Sequence, residues 1–320
     1  MVKTYLVTGG CGFIGSHLVD ALLADGHAVR VLDDLSTGSR DNLSGAASLI
    51  VGTVADPEVV RGAMNVVDGC FHLAAIASVT RSTEAWYETH QVNLGGTINV
   101  FDAARSGGSR TAPVIYASSA AIYGDNPALP LTENAGLRPL TPYGADKAGS
   151  ELHAQAGAAV FGVPSVGFRF FNIFGPRQDP SSPYSGVISI FTDRILSGQP
   201  ITVFGDGGQT RDFVYVGDVV RALVAGMSHA EQSRSTPVPA PVLNVCTGQQ
   251  ISLLDLIQAI ETASGLPAET TFAEARAGDI RHSCGDPGGL KEMLGVVAMT
   301  PLVDGLAALI DWRRQALAAA

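Results

Sequence analysis

Three residues in the middle of the chain have types and spacing that could support proton transfer at a substrate hydroxyl: Ser119, Tyr143 and Lys147. Ser119 closes an apolar run, a pattern that predicts a buried parallel strand whose carboxyl end opens into a site. Thr141 and Pro142 are a typical helix cap and first helical residue. Tyr143 and Lys147 are four residues apart, so this helix would place them on one face.

A phenol beside an ammonium group could act as a base. A free tyrosine has a pKa of about 10, which makes it a poor base near neutrality. A nearby lysine charge favours the phenolate and lowers that pKa, and Ser119 could align the substrate hydroxyl. The alternative is a strand-end serine, a packed tyrosine and a solvated lysine. The spacing of Tyr143 and Lys147 alone does not decide between the two.

A glycine-rich turn near the start of the chain predicts a dinucleotide site. A short apolar strand ends at Gly9, and Gly12 and Gly15 follow at intervals of three before an amphipathic helix. Glycines in such a turn let a pyrophosphate approach the backbone at the amino terminus of a helix. A simple surface turn is the alternative reading.

Asp33 decides between those readings, because it ends the next predicted strand, eighteen residues after Gly15. A carboxylate at this position binds a free ribose 2'-hydroxyl and repels a 2'-phosphate, so the sequence favours NAD over NADP. Positive charge on the nicotinamide ring would add to the effect of Lys147 on Tyr143.

Composition limits the classes of function. The 320 residues are 46% hydrophobic and carry a net charge of -10 with only 20 Lys and Arg, which argues against nucleic acid or an anionic membrane as a partner. The four cysteines are scattered without metal-ligand spacing, which predicts reduced thiols, no metal site and a cytoplasmic protein. No secretion signal or membrane span is predicted.

The order of elements predicts an α/β fold, a doubly wound parallel-sheet Rossmann domain with a smaller mixed α/β lobe. We expect residues 1–171 plus 212–247 to form the NAD-binding domain and residues 172–211 plus 248–320 to form the substrate lobe. One helix is predicted from Glu84 to Ala104, and a surface loop from Ser228 to Pro241.

Other charged residues have two possible roles each. Arg211 is a candidate phosphate clamp or the partner of a neighbouring acid. Arg276 and Asp279 flank a glycine and could reach a diphosphate and a ribose, or form a structural pair. His72 lies within an apolar strand, which is typical of a core histidine rather than a catalytic one.

These motifs, in order along nearly the whole chain, resemble the extended short-chain dehydrogenase/reductase superfamily. The segment Phe170-Phe171-Asn172 and the region from Arg276 to Asp279 look most like UDP-hexose 4-epimerases. Ala120 and Ala121 fit this reaction, since a dehydratase or decarboxylase would need an acid or base there.

The resemblance implies that Ser119, Tyr143 and Lys147 act on a tightly held NAD. Tyr143 would take the proton of the 4-hydroxyl while the C4 hydride passes to the cofactor, and a 4-keto sugar would turn over and be reduced on its other face. The motifs and the resemblance together predict cofactor contacts at Gly9, Gly12, Phe13, Ile14, Gly15, Asp33, Leu35, Ser36, Thr37, Gly38, Thr53, Val54, Leu73, Ala74, Ala75, Asn93, Tyr143, Lys147 and Phe170. They predict substrate contacts at Ser78, Ser119, Asn172, Gly186, Val187, Thr202, Val203, Phe204, Arg211, Arg276, Asp279 and Ser283.

Ser283 bears on the sugar, because it falls where epimerases of unsubstituted hexoses have a tyrosine. A small serine implies room for a 2-acetamido group, and therefore UDP-GlcNAc and UDP-GalNAc as substrates. The segment 177–180 also resembles epimerases of N-acetylated sugars. Three departures are Thr53, where the family usually has aspartate, Ala77, which replaces a lysine of the galactose-type enzymes, and Cys246, which replaces a usual glycine. The resemblance further implies a homodimer formed by the helices at 84–104 and 142–160.

Two alternatives remain open at this stage. The chain could be a different enzyme, either a 4-epimerase that acts only on UDP-glucose and UDP-galactose or on a UDP-uronic acid, or a net nucleotide-sugar reductase. It could also be a non-catalytic NAD-sensing relative, although the intact Ser119, Tyr143 and Lys147 argue against that reading.

Overall fold

The structure is a computed structural model that describes residues 1–106, 111–180, 186–233, 240–275 and 280–319. The strands in these ranges are β1 (Thr4–Thr8), β2 (Ala28–Asp33), β3 (Ser48–Val51), β4 (Gly69–His72), β5 (Val114–Ser119), β6 (Ser165–Phe170), β7 (Asn172–Phe174), β8 (Ile201–Phe204), β9 (Thr210–Arg211), β10 (Phe213–Tyr215), β11 (Val242–Val245), β12 (Ile251–Ser252) and β13 (Thr270–Ala273). The α-helices are α1 (Phe13–Ala24), α2 (Pro57–Met64), α3 (Val79–Glu84), α4 (Trp86–His90), α5 (Gly96–Arg105), α6 (Pro142–Phe161), α7 (Val187–Leu196), α8 (Val216–Gln232), α9 (Leu253–Ser264), α10 (Gly288–Leu294) and α11 (Leu302–Ala319).

Seven of the strands form one parallel sheet in the order β11-β6-β5-β4-β1-β2-β3. The chain moves outward from β1 to β3 and then resumes on the other side of β1 with β4. This reversal opens a crevice beyond the carboxyl ends of β1 and β4, where ligands bind in open α/β sheets. The predicted Rossmann-type α/β fold is confirmed.

Helices cover both faces of the sheet because successive strand residues point to opposite sides. Leu6 of β1 packs in one buried cluster with Val60 of α2 and Phe101 of α5. The next residue, Val7, packs in the opposite cluster with Leu18 of α1. Strands buried on both faces explain the continuous apolar runs in the sequence.

A second hydrophobic core lies among the elements that follow β6. It joins Phe174, Ile195 of α7, Ile201 of β8, Leu256 of α9 and Leu306 of α11. Three two-stranded sheets accompany this core, in which β7 pairs with β10, β8 with β13 and β9 with β12. The residue boundaries of the two predicted domains stay a prediction.

Two predicted segments differ from the structure. The helix expected from Glu84 to Ala104 is broken at Ala85, whose backbone leaves the helical region, and it contains a π-helical turn at Gln91–Gly95. The loop expected from Ser228 to Pro241 is wrong at its start, because α8 continues to Gln232. Residues 234–239 of that segment lie outside the described residues.

The four cysteines are all buried free thiols. Among the described residues, no helix combines the length and apolar composition needed to cross a bilayer.

Candidate active site

The glycine turn is held by contacts that exclude side chains. Gly9 has a φ of +72°, and a Cβ atom there would lie 2.8 Å from the backbone nitrogen of Ala74. At Gly15, the first turn of α1 runs so close to the preceding loop that a Cβ atom would lie 2.1 Å from the Gly9 carbonyl oxygen. The turn therefore brings the amino terminus of α1 against the end of β1, a geometry that suits a pyrophosphate.

Asp33 lies buried at the end of β2, beside this turn. Its carboxylate accepts hydrogen bonds from the backbone nitrogens of Cys11 and Leu35, both at 2.9 Å. Burial raises the Asp33 pKa, and these two hydrogen bonds act in the opposite direction. A carboxylate has about four lone-pair sites, so acceptor capacity remains for ribose hydroxyls.

The helix that carries Tyr143 and Lys147 begins as predicted. Thr141 is its N-cap and accepts a hydrogen bond from the Gly144 backbone nitrogen at 3.1 Å, and Pro142 is its first residue. These local signals set the direction in which the first turn of α6 leaves the loop.

Ser119, Tyr143 and Lys147 come together where β5 ends. The Ser119 side chain is a hydrogen-bond partner of the Tyr143 phenol. Lys147 is 4% exposed, and its Nζ donates to the Ala117 carbonyl at 2.9 Å and lies 5.8 Å from the centre of the Tyr143 ring. A hydroxyl, a phenol and an ammonium group thus share one place, which is what proton transfer at a substrate hydroxyl requires.

Burial shifts the pKa values of both Tyr143 and Lys147. Burial raises the Tyr143 pKa, and the Ser119 hydrogen bond opposes this rise. Burial also lowers the Lys147 pKa to about 8, against an upward effect of the Asp146 charge. Desolvation of the phenolate therefore dominates in the protein alone, and the lowering of the Tyr143 pKa by Lys147 together with a nicotinamide charge stays a prediction.

A buried polar network lies directly behind this trio. Glu151, one helical turn after Lys147, accepts from Ser118 Oγ at 2.5 Å and pairs with Arg169 through bonds of 2.9 and 2.7 Å. Arg169 also donates to the Tyr123 hydroxyl at 2.8 Å, and that hydroxyl donates to Asn244 at 2.6 Å. All five side chains are 5% exposed or less. The network joins α6 to β5, β6 and β11.

His72 has the structural role that its apolar strand predicted. It is buried in β4, with its ring nitrogens 2.8 Å from Thr8 Oγ1 and 3.2 Å from Thr97 Oγ1. Both of its partners are side-chain hydroxyls. Burial, assisted by the Lys147 charge, lowers its pKa to about 3, so the ring is neutral near pH 7.

One cleft of about 740 Å³ runs past all of these groups. It begins at the glycine turn, passes Asp33 and the end of β4, and reaches the trio and the residues after β6. The predicted site residues that line it are Gly9, Gly12, Phe13, Ile14, Gly15, Asp33, Ser36, Thr37, Gly38, Thr53, Val54, Leu73, Ala74, Ala75, Ser119, Tyr143, Lys147, Phe170, Asn172 and Gly186.

Several predicted site residues do not line this cleft. They are Leu35, Ser78, Asn93, Val187, Thr202, Val203, Phe204, Arg211 and Ser283. Arg276 and Asp279 lie outside the described residues.

Some of these residues act on their neighbours instead. Asn93 fixes the loop after β4, because its side chain accepts from the Ile76 backbone nitrogen at 2.8 Å and donates to the Ile76 carbonyl at 3.2 Å. Ser78 caps α3. Arg211 donates to the Thr210 carbonyl at 2.8 Å.

Asp212, the acid next to Arg211, binds other groups of the chain. Its carboxylate is fully buried and accepts hydrogen bonds from Thr247, Gly248 and Gly285. These bonds connect the end of β11 to the segment after Arg281, so Asp212 serves a structural junction.

The sequence-based site omitted other residues that line the cleft. Trp312 and Arg313 of α11 do so. Arg177, Gln178 and Asp179 also line it, and only their resemblance to a known segment had drawn attention to them. No group of His, Cys, Asp or Glu arranged to hold a metal ion occurs in the described part of the chain.

Comparison with known proteins is consistent with this geometry. Residues 5–245 match the model of the NAD-dependent epimerase/dehydratase family. A UDP-glucose 4-epimerase from Mycolicibacterium smegmatis is 37% identical over 97% of this chain and 98% of its own length.

Two solved structures have the same fold throughout. A UDP-glucose 4-epimerase from Thermotoga maritima, solved with UDP-glucose, has a TM-score of 0.92 and 34% identity over 98% of this chain and 99% of its own. A UDP-N-acetylglucosamine 4-epimerase from Methanobrevibacter ruminantium, in complex with UDP-N-acetylmuramic acid, has a TM-score of 0.91 and 33% identity over the same shares.

Proposed function

Because this chain belongs to the NAD-dependent epimerase/dehydratase family, we propose that it catalyses the reversible C4 epimerisation of a UDP-hexose. The observation that carries the proposal is the meeting of Ser119, Tyr143 and Lys147 on the wall of the cleft that also contains the glycine turn. Proton transfer at a sugar hydroxyl could occur there next to a dinucleotide.

The residues of the cleft fit NAD. The glycine turn offers a cradle that a Cβ atom would fill, and Asp33 at the end of β2 offers a carboxylate to a ribose diol. The same carboxylate disfavours the 2'-phosphate of NADP. Bound NAD would supply a hydride acceptor that later returns the hydride.

The remaining chemistry belongs to side chains of this chain. Tyr143 would take the proton of the 4-hydroxyl, and Ser119 would align that hydroxyl by a shared hydrogen bond. Burial raises the Tyr143 pKa, so stabilisation of the phenolate must come from positive charge at the filled site. Lys147 is the protein's own source of that charge. After the 4-keto sugar turns in the pocket, Tyr143 would return the proton.

The direct test is conversion without added cofactor. Purified protein is incubated with UDP-GlcNAc or UDP-glucose, and the 4-epimer is measured by anion-exchange chromatography. We expect epimer to form at equal rates with and without free NAD. A requirement for stoichiometric NADH or NADPH would instead identify a net reductase.

Tyr143→Phe gives the matched variant. It removes only the phenol oxygen, so the protein should keep its NAD and lose turnover by about a hundredfold to ten-thousandfold, the usual contribution of general base catalysis. An unchanged rate would remove Tyr143 as the base. If the wild-type protein gave no detectable conversion, the NAD-sensing alternative would be favoured.

For the sugar, we propose UDP-GlcNAc and UDP-GalNAc, together with UDP-glucose and UDP-galactose. Ser283 does not line the cleft itself, so its part in the proposal rests on the family resemblance and its small size, whereas Gln178 does line the cleft and offers an amide there. The relative from M. ruminantium is named for UDP-N-acetylglucosamine, whereas the other two relatives are named for UDP-glucose, which is why both sugar types are proposed.

Ser283→Tyr tests the size argument, with Ser283→Ala as its control. We expect the tyrosine variant to lose activity on UDP-GlcNAc while it retains activity on UDP-glucose, and the alanine variant to retain both. Equal loss on the two sugars would refute a role for Ser283 in selecting the C2 substituent.

We also propose a homodimer that is formed by the helices around α4 and by α6. Trp86 and Tyr87 are 67% and 71% exposed, and Leu152 and Val160 of α6 are 61% and 70% exposed. Burying such side chains against a second copy of the chain would stabilise the dimer, since each fully buried large apolar side chain contributes about 1.5–3 kcal/mol. Light scattering of the wild type and of Leu152→Glu would test this, with a monomeric variant expected.

A further inference from the structure

The loop after β7 is fastened to the helix that follows the glycine turn. His17 and the Pro176 carbonyl oxygen are 2.9 Å apart, and Arg177 Nη2 lies 2.7 Å from Asp20 Oδ2. His17 and Asp20 are three residues apart on α1, so both contacts use the same helix face. The first turn of this helix lines the cleft, which places the loop beside the proposed cofactor.

Arg177 has an unusual backbone for its type. Its φ is +65°, in the left-handed region that residues other than glycine, asparagine and aspartate rarely adopt. Such a conformation is unfavourable and persists where surrounding contacts determine it, which occurs most often at functional sites. An arginine at this position indicates that its side chain is used.

The guanidinium has an unused hydrogen-bond donor. Nη2 pairs with Asp20, whereas Nη1 is buried and has no hydrogen-bond partner among the residues that the structure describes. The residue lines the same cleft as Gly12 and Phe13 at the start of α1. Leaving a buried donor unpaired is unfavourable, and the planar fork of arginine matches phosphate oxygens well.

We propose that Arg177 is a further NAD-binding residue, in which Nη1 serves the pyrophosphate while Nη2 holds Asp20. The loop then acts as a strap that joins α1 across the cofactor and slows its release. This inference rests on NAD as the cofactor and does not depend on which sugar is epimerised. Asp20 and His17 act through the strap, as positioning residues.

The test measures cofactor release directly. Protein is loaded with NAD, diluted into excess NAD analogue, and the released NAD is quantified over time. We expect Arg177→Ala to release NAD about 10- to 100-fold faster, the range for a lost hydrogen bond to a charged group. Asp20→Asn should give a change of about two- to fivefold, as for a partly exposed ion pair.

Three variants separate the side chain from the backbone and from general charge effects. Arg177→Gly removes the side chain and also relieves the strain of the positive φ. If this variant keeps the thermal stability of the wild type and still releases NAD fast, the effect belongs to the side chain. Arg177→Lys keeps one charge but loses the fork, and intermediate release is expected. Arg61→Ala removes an exposed arginine that pairs with Glu58 on α2, and should leave release unchanged.

Two outcomes would overturn the inference. The first is an NAD release rate that stays within twofold of wild type in both Arg177→Ala and Arg177→Gly. The second is unchanged NAD release with weakened UDP binding to the NAD-loaded protein, which would assign the guanidinium to the diphosphate of the nucleotide sugar. Neither readout requires turnover, so a failure of the proposed epimerase activity would be distinguishable.

Discussion

Removing the negative charge of Glu151 should destabilise the protein strongly. The carboxylate accepts three hydrogen bonds, from Ser118 Oγ and from Arg169 Nε and Nη2. In Glu151→Gln, an NH2 group replaces one acceptor oxygen and faces other hydrogen-bond donors. The Arg169 side chain, in a residue that is only 5% exposed, then keeps its positive charge without an anionic partner. Breaking a buried pair from one side costs about 3–5 kcal/mol, and we expect that loss in the free energy of unfolding.

A double variant separates charge from packing. Glu151→Met combined with Arg169→Met removes both ions, and replacing a buried pair by apolar side chains is often neutral. Ser118 loses its acceptor, whereas Tyr123 keeps its bond to Asn244. Each unpaired hydroxyl costs about 1 kcal/mol or somewhat more, so we expect the double variant within about 2 kcal/mol of wild type.

Urea unfolding followed by circular dichroism gives these free energies, and the epimerase assay gives the functional cost. Tyr143 and Lys147 precede Glu151 on α6, so a shift of that helix by about 1 Å would lower kcat by about 100-fold. A free energy of unfolding for Glu151→Gln within about 1 kcal/mol of the wild-type value would refute the electrostatic reasoning. A double variant as unstable as the single one would show that hydrogen bonding, not charge, dominates.

Three further predictions follow from single groups. The pH profile of kcat/KM should fall above about pH 8, because the Lys147 ammonium is lost there; a flat profile to higher pH would contradict this. The unfolding free energy should fall as the pH drops from 6.5 toward 3. In this range the unfolded chain binds a proton at His72, whereas the native ring, with a pKa of about 3, stays neutral. Acid titrations of His72→Gln should show a flatter dependence. Gly15→Ala should abolish NAD binding in a fluorescence titration, because its Cβ would lie 2.1 Å from the Gly9 carbonyl oxygen. Gly62→Ala is the control, since the space around its Cβ is open, and this variant should bind NAD normally.

Features set by short segments of sequence were predictable. The Thr141 cap, Pro142 and the spacing of Tyr143 and Lys147 depend on one helical turn, and the structure reproduces them. Asp33 was likewise found from its place at the end of a strand. Such signals are local, so periodicity and capping preferences are enough to read them.

Features that depend on distant segments were not predictable from periodicity. Glu151 and Arg169 look like ordinary helix and strand residues until the register of β5 with β6 places Arg169 beside Ser118. The break at Ala85 and the π-helical turn after it carry no glycine or proline signal at their start. Trp312 reaches the cleft only because α11 folds back from the end of the chain.

The two kinds of anchoring have different consequences for the trio. The cap at Thr141 fixes where α6 begins, but a helix held only at its start could still rotate or slide against the sheet. The Glu151–Arg169 pair, one turn beyond Lys147, removes that freedom because its bidentate geometry tolerates little displacement. Ser118 bonds to the same carboxylate from the strand that carries Ser119. The elements that carry the hydroxyl and the phenol are thus bonded to one buried anion, and this common anchor fixes the separation of the two groups.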